Sequence, residues 1–212
     1  MYKKVLILII CVMFITSSSV MAAIHLKAGY LNYVDDKIEV SKGVTIKNKK
    51  VTITAPKGTL NRDDNKAVLI NGITMDYDQG NIKAQRLEAW LESDQYTFKK
   101  EVVLNQKEEG KNIKLKAPYL KLNQKTNAFD AKQGVEINYN KKLLKSRTAT
   151  YNDKEGTLEL KDDVYIEQEN GDWVKGSKAV IYMDSEEERF TVDGNVEVEV
   201  NIGKDEKSEK QS

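Results

Sequence analysis

The sequence predicts an all-β protein: an elongated antiparallel sheet built from about six repeats of roughly thirty residues each. Three observations predict it. Apolar and charged residues alternate with period two over most of the chain, the mark of strands with one dry and one wet face. Polar turn clusters interrupt that alternation about every 8 to 12 residues, as in hairpin-linked strands. A small-residue opener and a β-branched closer also recur on one phase, from Ala28 to Val196.

The first element in order is of another kind. Met1-Tyr2-Lys3-Lys4 is a short basic start, and the apolar run Val5 to Ile15 follows it. Thr16-Ser17-Ser18-Ser19 then leads into Val20-Met21-Ala22-Ala23, with Val20 and Ala22 where a signal peptidase reads. Residues 1–22 are therefore expected to be a secretory signal peptide. The run of 11 apolar residues is short of the ~20 that span a bilayer. The competing reading is a retained anchor, in which Val20 to Ile24 extend the apolar segment. Cys11 lies inside the run, and Leu8-Ile9-Ile10-Cys11 lacks the small residues of a lipobox, so it reads as a buried apolar residue. Removing residues 1–22 takes away Lys3 and Lys4, which leaves 34 − 2 = 32 cations against 33 acids, a charge of −1.

The repeats occupy residues 23–202. Their openers are Ala28, Ala55, Ala84, Ala117, Ser146 and Gly176. Their closers are Gly43-Val44, Gly72-Ile73, Glu101-Val102, Gly134-Val135, Asp163-Val164, and Gly194 with Val196 after an inserted Asn195. Successive β-branched closers stand 29, 29, 33, 29 and 32 residues apart. Both prolines keep the phase: Pro56 and Pro118 each follow an opener directly. Proline cannot donate to a sheet ladder, so that position is expected to be a corner and not a central paired site. Between opener and closer the alternation is plain in Val51-Ile53-Ala55, Ile113-Leu115-Ala117, Leu158-Leu160 and Val196-Val198-Val200. Turns are expected at Asp35-Asp36, 62–65, 123–127, 152–156 and 184–187. Only Ala84 to Ser93 reads as a helix on its own, and its phase assigns it to a strand. Residues 203–212 carry no apolar side chain and are expected to be a disordered charged tail.

Composition excludes most chemistries. One histidine and one cysteine among 212 residues leave no His- or Cys-based metal site, no catalytic triad and no disulfide framework. A net charge of +1 argues against nucleic acid as a partner. Gly171 to Lys178 resembles a phosphate loop, but Ser177 precedes Lys178, and a strand follows where the phosphate needs a helix. It reads as a hairpin turn. His25 is a solvated residue beside the cleavage site. The doublets Asp35-Asp36, Asp63-Asp64 and Asp162-Asp163 lack the spacing of a calcium loop and are expected at turns and edges. No catalytic residue, metal or cofactor is expected.

The opener small-x-x-apolar-x-aromatic and the closer G-[VI]-x-[IVM] carry a family resemblance. Examples are Ala28-Gly29-Tyr30-Leu31-Asn32-Tyr33 with Gly43-Val44-Thr45-Ile46, and Ser146 to Tyr151 with Val164-Tyr165-Ile166. In these the chain resembles the periplasmic lipopolysaccharide-transport proteins of the LptA/LptC type, the OstA-like domain, over about residues 26–200. The resemblance implies an open, elongated antiparallel β-jellyroll that shelters lipid A acyl chains without being an enzyme. It implies a periplasmic location, or an inner-membrane anchor facing the periplasm. It also implies end-to-end β-strand pairing with the OstA-like domains of the inner-membrane complex and outer-membrane translocon, and head-to-tail self-association.

On that reading the groove candidates are the apolar members of the alternation. They are Ile38, Val44, Ile46, Val51, Ile53, Leu60, Ile73, Met75, Ile82, Phe98 and Val102, then Ile113, Leu115, Leu122, Phe129, Val135, Ile137, Leu158, Leu160, Val164 and Ile166. Leu26, Tyr33, Phe190, Val196 and Val198 are the candidate assembly edges. A competing class is an exported β-solenoid that binds polysaccharide, which needs paired carboxylates and positioned aromatics on its outer face.

Overall fold

Strands follow one another without a helix in the computed structural model, which describes residues 25–47, 51–90, 93, 95–108, 111–123, 125–183 and 189–201. The expected signal peptide, the charged tail and the turn at 184–187 lie outside the described residues. The strands are β1 (His25–Val34), β2 (Lys37–Lys47), β3 (Val51–Asn61), β4 (Lys66–Tyr77), β5 (Gly80–Trp90) and β6 (Gln95–Glu108). They continue as β7 (Lys111–Asn123), β8 (Ala128–Tyr139), β9 (Lys142–Asn152), β10 (Thr157–Glu167), β11 (Trp173–Tyr182), β12 (Arg189–Asp193) and β13 (Glu197–Glu199). Each pairs antiparallel with the next from β1 to β12, while β13 pairs with β11, so the sheet is open at both ends.

The runs that read as separate short strands are mostly halves of longer ones. Every strand pair from β1 to β11 slips register near its middle, and the opener and closer are the cause. Between Ala28↔Val44 and Tyr30↔Ser41, Gly29 alone faces Lys42-Gly43. Likewise Pro56 faces Lys42-Gly43, Pro118 faces Lys100-Glu101, Arg147 faces Gln133-Gly134, and Ser177 faces Asp162-Asp163. Two residues against one is a β-bulge, which bends the strand. Both members of each pair have positive φ, from 59° and 84° at Lys42-Gly43 to 51° at Asn195. Glycine takes that conformation freely, which accounts for its recurrence in the closers. β12 and β13 are one such bent strand, broken at Gly194-Asn195. Pro56 and Pro118 stand at these corners, as expected. Asp162-Asp163 is a correction: it forms a bulge inside β10 and not a turn, with Asp163 2.7 Å from Arg147.

The bends divide the sheet into two wings, each with a dry face. Directly opposed residues of an antiparallel pair share a face, so the register defines rows that cross the whole sheet. On the first wing one row runs Leu26, Ile46, Ile53, Met75, Ile82, Leu104, Leu115, Ile137, Leu144, Ile166, Val174 and Val198. On the second wing another runs Leu31, Val40, Gly58, Leu69, Leu87, Phe98, Leu120, Ala131, Ala149, Leu160, Ala179 and Val192. At the corner each closer faces a small opener: Ile73 with Ala84, Val102 with Ala117, Val135 with Ser146, Val164 with Gly176. A branched side chain against a small one lets the wings fold together. Folding brings the dry faces into one core that joins residues from Val51 to Met183.

The wet face carries one buried charge. Glu88 on β5 receives Lys99 at 2.9 Å, Arg86 at 2.8 Å and Lys66 at 3.3 Å. Burial alone would raise its pKa, but the three cationic hydrogen bonds outweigh that and hold the carboxyl at about 2. A depressed carboxylate contributes stability that is present above its unfolded value near 4.5 and is lost as pH falls towards the folded value. Carboxyl NMR titration is therefore expected to place the Glu88 midpoint well below 4. Glu88→Gln is expected to remove part of the loss of stability between about pH 4.5 and pH 2. A Glu88 midpoint at or above 4.5 would refute the triple pairing.

Candidate functional site

The apolar interior between the wings and the two exposed sheet ends are the places where this molecule can act. No cluster of three or more metal-ligating side chains occurs among the described residues.

The groove candidates divide by position. Ile38, Ile46, Ile53 and Leu60, all on β2 and β3, are half-buried. The others, from Val44 and Val51 to Val164 and Ile166, are buried, and Met75, Ile82, Phe98 and Ile166 are 0% exposed. The structure thus gathers all the candidates on the dry faces but not around a continuous trough. Through the middle of the sheet the wings fill the space with their own side chains. A void of about 20 Å³ lies there, lined by Leu104, Gln106, Ile113, Leu115, Ile137 and Tyr139 from one wing and Phe129, Leu158 and Met183 near the other. That is room for about one water. Alternation reports which face is dry, and the fold adds that a second dry face covers it through the middle of the sheet.

The interior opens at the N-terminal end. There Ile38 and Leu60 border an open hollow of about 530 Å³ with Asp36, Arg62, Asp63 and Asn65. Arg62 Nη1 donates to the Tyr33 hydroxyl at 2.9 Å. Among the described residues, every large exposed hydrophobic side chain lies on β1 or in 196–200: Leu26, Tyr30, Leu31, Tyr33, Val34, Val196, Val198 and Val200. Leu26 is 40% exposed, Tyr33 52%, Val196 51% and Val198 64%, while Phe190 is half-buried. Leu26 and Tyr33 lie on β1, Phe190 on β12 and Val198 on β13, with Val196 directly before β13. Leu31 was not singled out because Gly29 flips the alternation of β1, so Leu31 joins the dry row opposite Val40. The signal was available: every opener is followed by one extra residue, after which the inward parity changes. Tyr77, at the inner margin of β4, is half-buried against the core, and desolvation pushes its phenol pKa up.

Aromatics do occur on the outer face, with Tyr165 and Trp173 rings 6.2 Å apart. The Tyr165 hydroxyl donates to Glu167 at 3.0 Å, and on the other wing Lys161 and Lys178 share Glu159 at 2.6 Å each.

The interior and edges can be set beside known proteins. No curated protein sequence matches the chain. Among solved structures the chain is similar to LptH of Pseudomonas aeruginosa, described as the LptA-homologous periplasmic component of the lipopolysaccharide transport device. The identity is 11%, with 71% of this chain and 94% of that chain covered, at a TM-score of 0.32. A family model, lipopolysaccharide-assembly, LptC-related, matches residues 77–169. The matched span runs from the end of β4 through β10 and holds the most fully packed part of the sheet. The similarity to the LptC-related family model is confined to that span, residues 77–169.

Proposed function

We propose that the chain handles lipopolysaccharide on the periplasmic side of the inner membrane, sheltering lipid A acyl chains between its wings and passing them along the sheet. The observation that carries this is the aliphatic row that crosses all the bent strands from Leu26 to Val198 and ends in exposed side chains at both sides. Such a row offers successive contacts of similar chemistry, so no step is a deep trap. Each exposed acyl chain of a dozen carbons costs on the order of 10 kcal/mol in water at ~0.8 kcal/mol per CH₂. Among the described residues the strands pair only with their neighbours in the sheet and not across the wing margins, so an acyl chain enters by parting the margins, beginning at the half-open β2–β3 end.

End-to-end pairing follows from the same geometry. An even strand ends the sheet and an odd strand begins it, so β12–β13 of one domain and β1 of the next continue the antiparallel order. The bulge matches too: Gly194-Asn195 would face Gly29, two residues against one, as at the internal even–odd pairs. The rows then join as Val198 to Leu26, Val192 to Leu31 and Phe190 to Tyr33.

Photo-crosslinking probes at Ile53, Leu115 and Leu160 are expected to label with lipopolysaccharide, and probes at Thr52, Lys114 and Glu159 are not. Equal labelling of both sets, or none, overturns the proposal. A second reading, the anchored component of the same machine, is favoured by the LptC-related match. Mass spectrometry of the mature protein distinguishes them: residues 1–22 retained mean an anchor, residues 1–22 absent mean a soluble bridge.

A further inference from the structure

Charge is segregated on the outer surface. The rows flanking the bends on the wet face, together with the outward bend residues, form a ridge running the length of the sheet. On the second wing that ridge carries Lys57, Arg86, Lys99, Lys132, Lys161 and Lys178 against Asp193 alone. On the first wing it carries Lys27, Lys83, Lys116, Lys145 and Lys175 against Glu136 and Glu197. The bends add Lys42, Lys100 and Arg147 against Glu101, Asp162 and Asp163. The ridge thus holds fourteen cations against six acids, a net +8 on a chain whose total is +1, although five of its second-wing cations pair with Glu88, Asp130 and Glu159 in the next outer row. Twelve bent strands at about 4.8 Å spacing make the ridge roughly 50 Å long.

We propose that this ridge docks on the anionic headgroups of a phospholipid bilayer, laying the sheet along the membrane with the wing margins turned away from it. Twelve of the fourteen cations are lysine, a compact point charge suited to diffuse attraction, whereas bidentate recognition of a single phosphate favours arginine. The cations follow one line and do not converge on a cavity, which fits an extended charged surface better than one small anion. Lys57, Lys83 and Lys100 are exposed and pair with no carboxylate among the described residues, so their charge is available. Juxtaposed lysines of this kind are what anionic lipid surfaces attract, and salt weakens the attraction within a Debye length.

The test is lysine acetylation footprinting of the full chain by mass spectrometry, with vesicles of phosphatidylcholine alone or with about a third phosphatidylglycerol. Neither vesicle contains lipopolysaccharide, so the outcome is independent of the proposed transport function. Lys57, Lys83 and Lys100 are expected to lose reactivity at least threefold with the anionic vesicles only, and to regain it at about 0.5 M salt. Lys37, Lys47 and Lys114, exposed but away from the ridge, are expected to change less than 1.5-fold. Residues 5–15 inserting into lipid would act on both vesicle types alike and leave this contrast intact. Equal protection of the two lysine sets, protection by neutral vesicles, or none by anionic ones overturns the proposal. The triple variant Lys57→Gln, Lys83→Gln, Lys100→Gln is expected to lower anionic-vesicle affinity at least tenfold. The triple Lys37→Gln, Lys47→Gln, Lys114→Gln, with the same change in net charge, is expected to lower it less than threefold. Equal losses would mean that net charge alone is at work and would also overturn the proposal.

Discussion

Phe98→Ala is expected to destabilise the protein by about 3–5 kcal/mol. Phe98 is 0% exposed and stands in the second-wing row between Leu87 and Leu120, both also buried. The loss combines the transfer of an aromatic ring out of the core with the cavity it leaves. The cavity term is large here because the neighbours are held by strand pairing on both sides and cannot collapse into it. Ile53→Ala, at the half-buried end of the sheet, is expected to cost about half as much, because solvent already reaches that side chain. Urea denaturation at constant m-value measures both, and a midpoint lower by on the order of 10 °C for Phe98→Ala is the thermal counterpart. A cost below about 1 kcal/mol would mean that the wings do not pack across Phe98. The same variant enlarges the interior, so it also separates stability from capacity: a chain that parts more easily to admit acyl chains should crosslink at Leu115 at least as well as the wild type.

How far the fold could be read in advance depended on which residues carried the signal. The opener and closer gave the repeat, the corner and the strand order, because a bulge needs positive φ on one strand and a small residue opposite, and both leave a mark on composition. Pro56 and Pro118 marked the same corner by their inability to donate a hydrogen bond. Lys100-Glu101 and Asp162-Asp163 hold the same conformation without glycine, so composition alone did not give their backbone, and phase did. The dry face was legible from alternation, and Val44 to Ile166 all lie on it. Its closure was not, since packing of two wings is a long-range event that leaves no periodicity. Leu31 was hidden by the parity change at Gly29, and the ridge was hidden because balanced total charge conceals its sorting. That sorting became visible only once the register put Lys57, Lys83 and Lys132 on neighbouring outer rows.

Replacing an inward side chain at either free edge with lysine is expected to abolish end-to-end association while leaving the fold intact. Leu26 and Val198 end the same aliphatic row at opposite sides of the sheet and are 40% and 64% exposed. In the free chain, neither Leu26→Lys nor Val198→Lys buries a charge, so each variant should unfold within about 0.5 kcal/mol of the wild type. In a junction, each would set a charge against the partner's apolar row. Losing one buried aliphatic contact of about 1.5–3 kcal/mol weakens association ten- to a hundredfold, before any desolvation of the ammonium. Sedimentation velocity at several concentrations reads this directly. Wild-type chain is expected to form an open series of oligomers, because a heterologous contact leaves both ends free. Each variant alone should be monomeric. The mixture is the decisive measurement. A Leu26→Lys chain keeps a sound β12–β13 end, and a Val198→Lys chain keeps a sound β1 end, so together they should give a dimer that grows no further. A dimer formed by either variant alone would require a self-complementary contact elsewhere on the chain. The row and bulge match between β13 and β1 would then have no part in assembly.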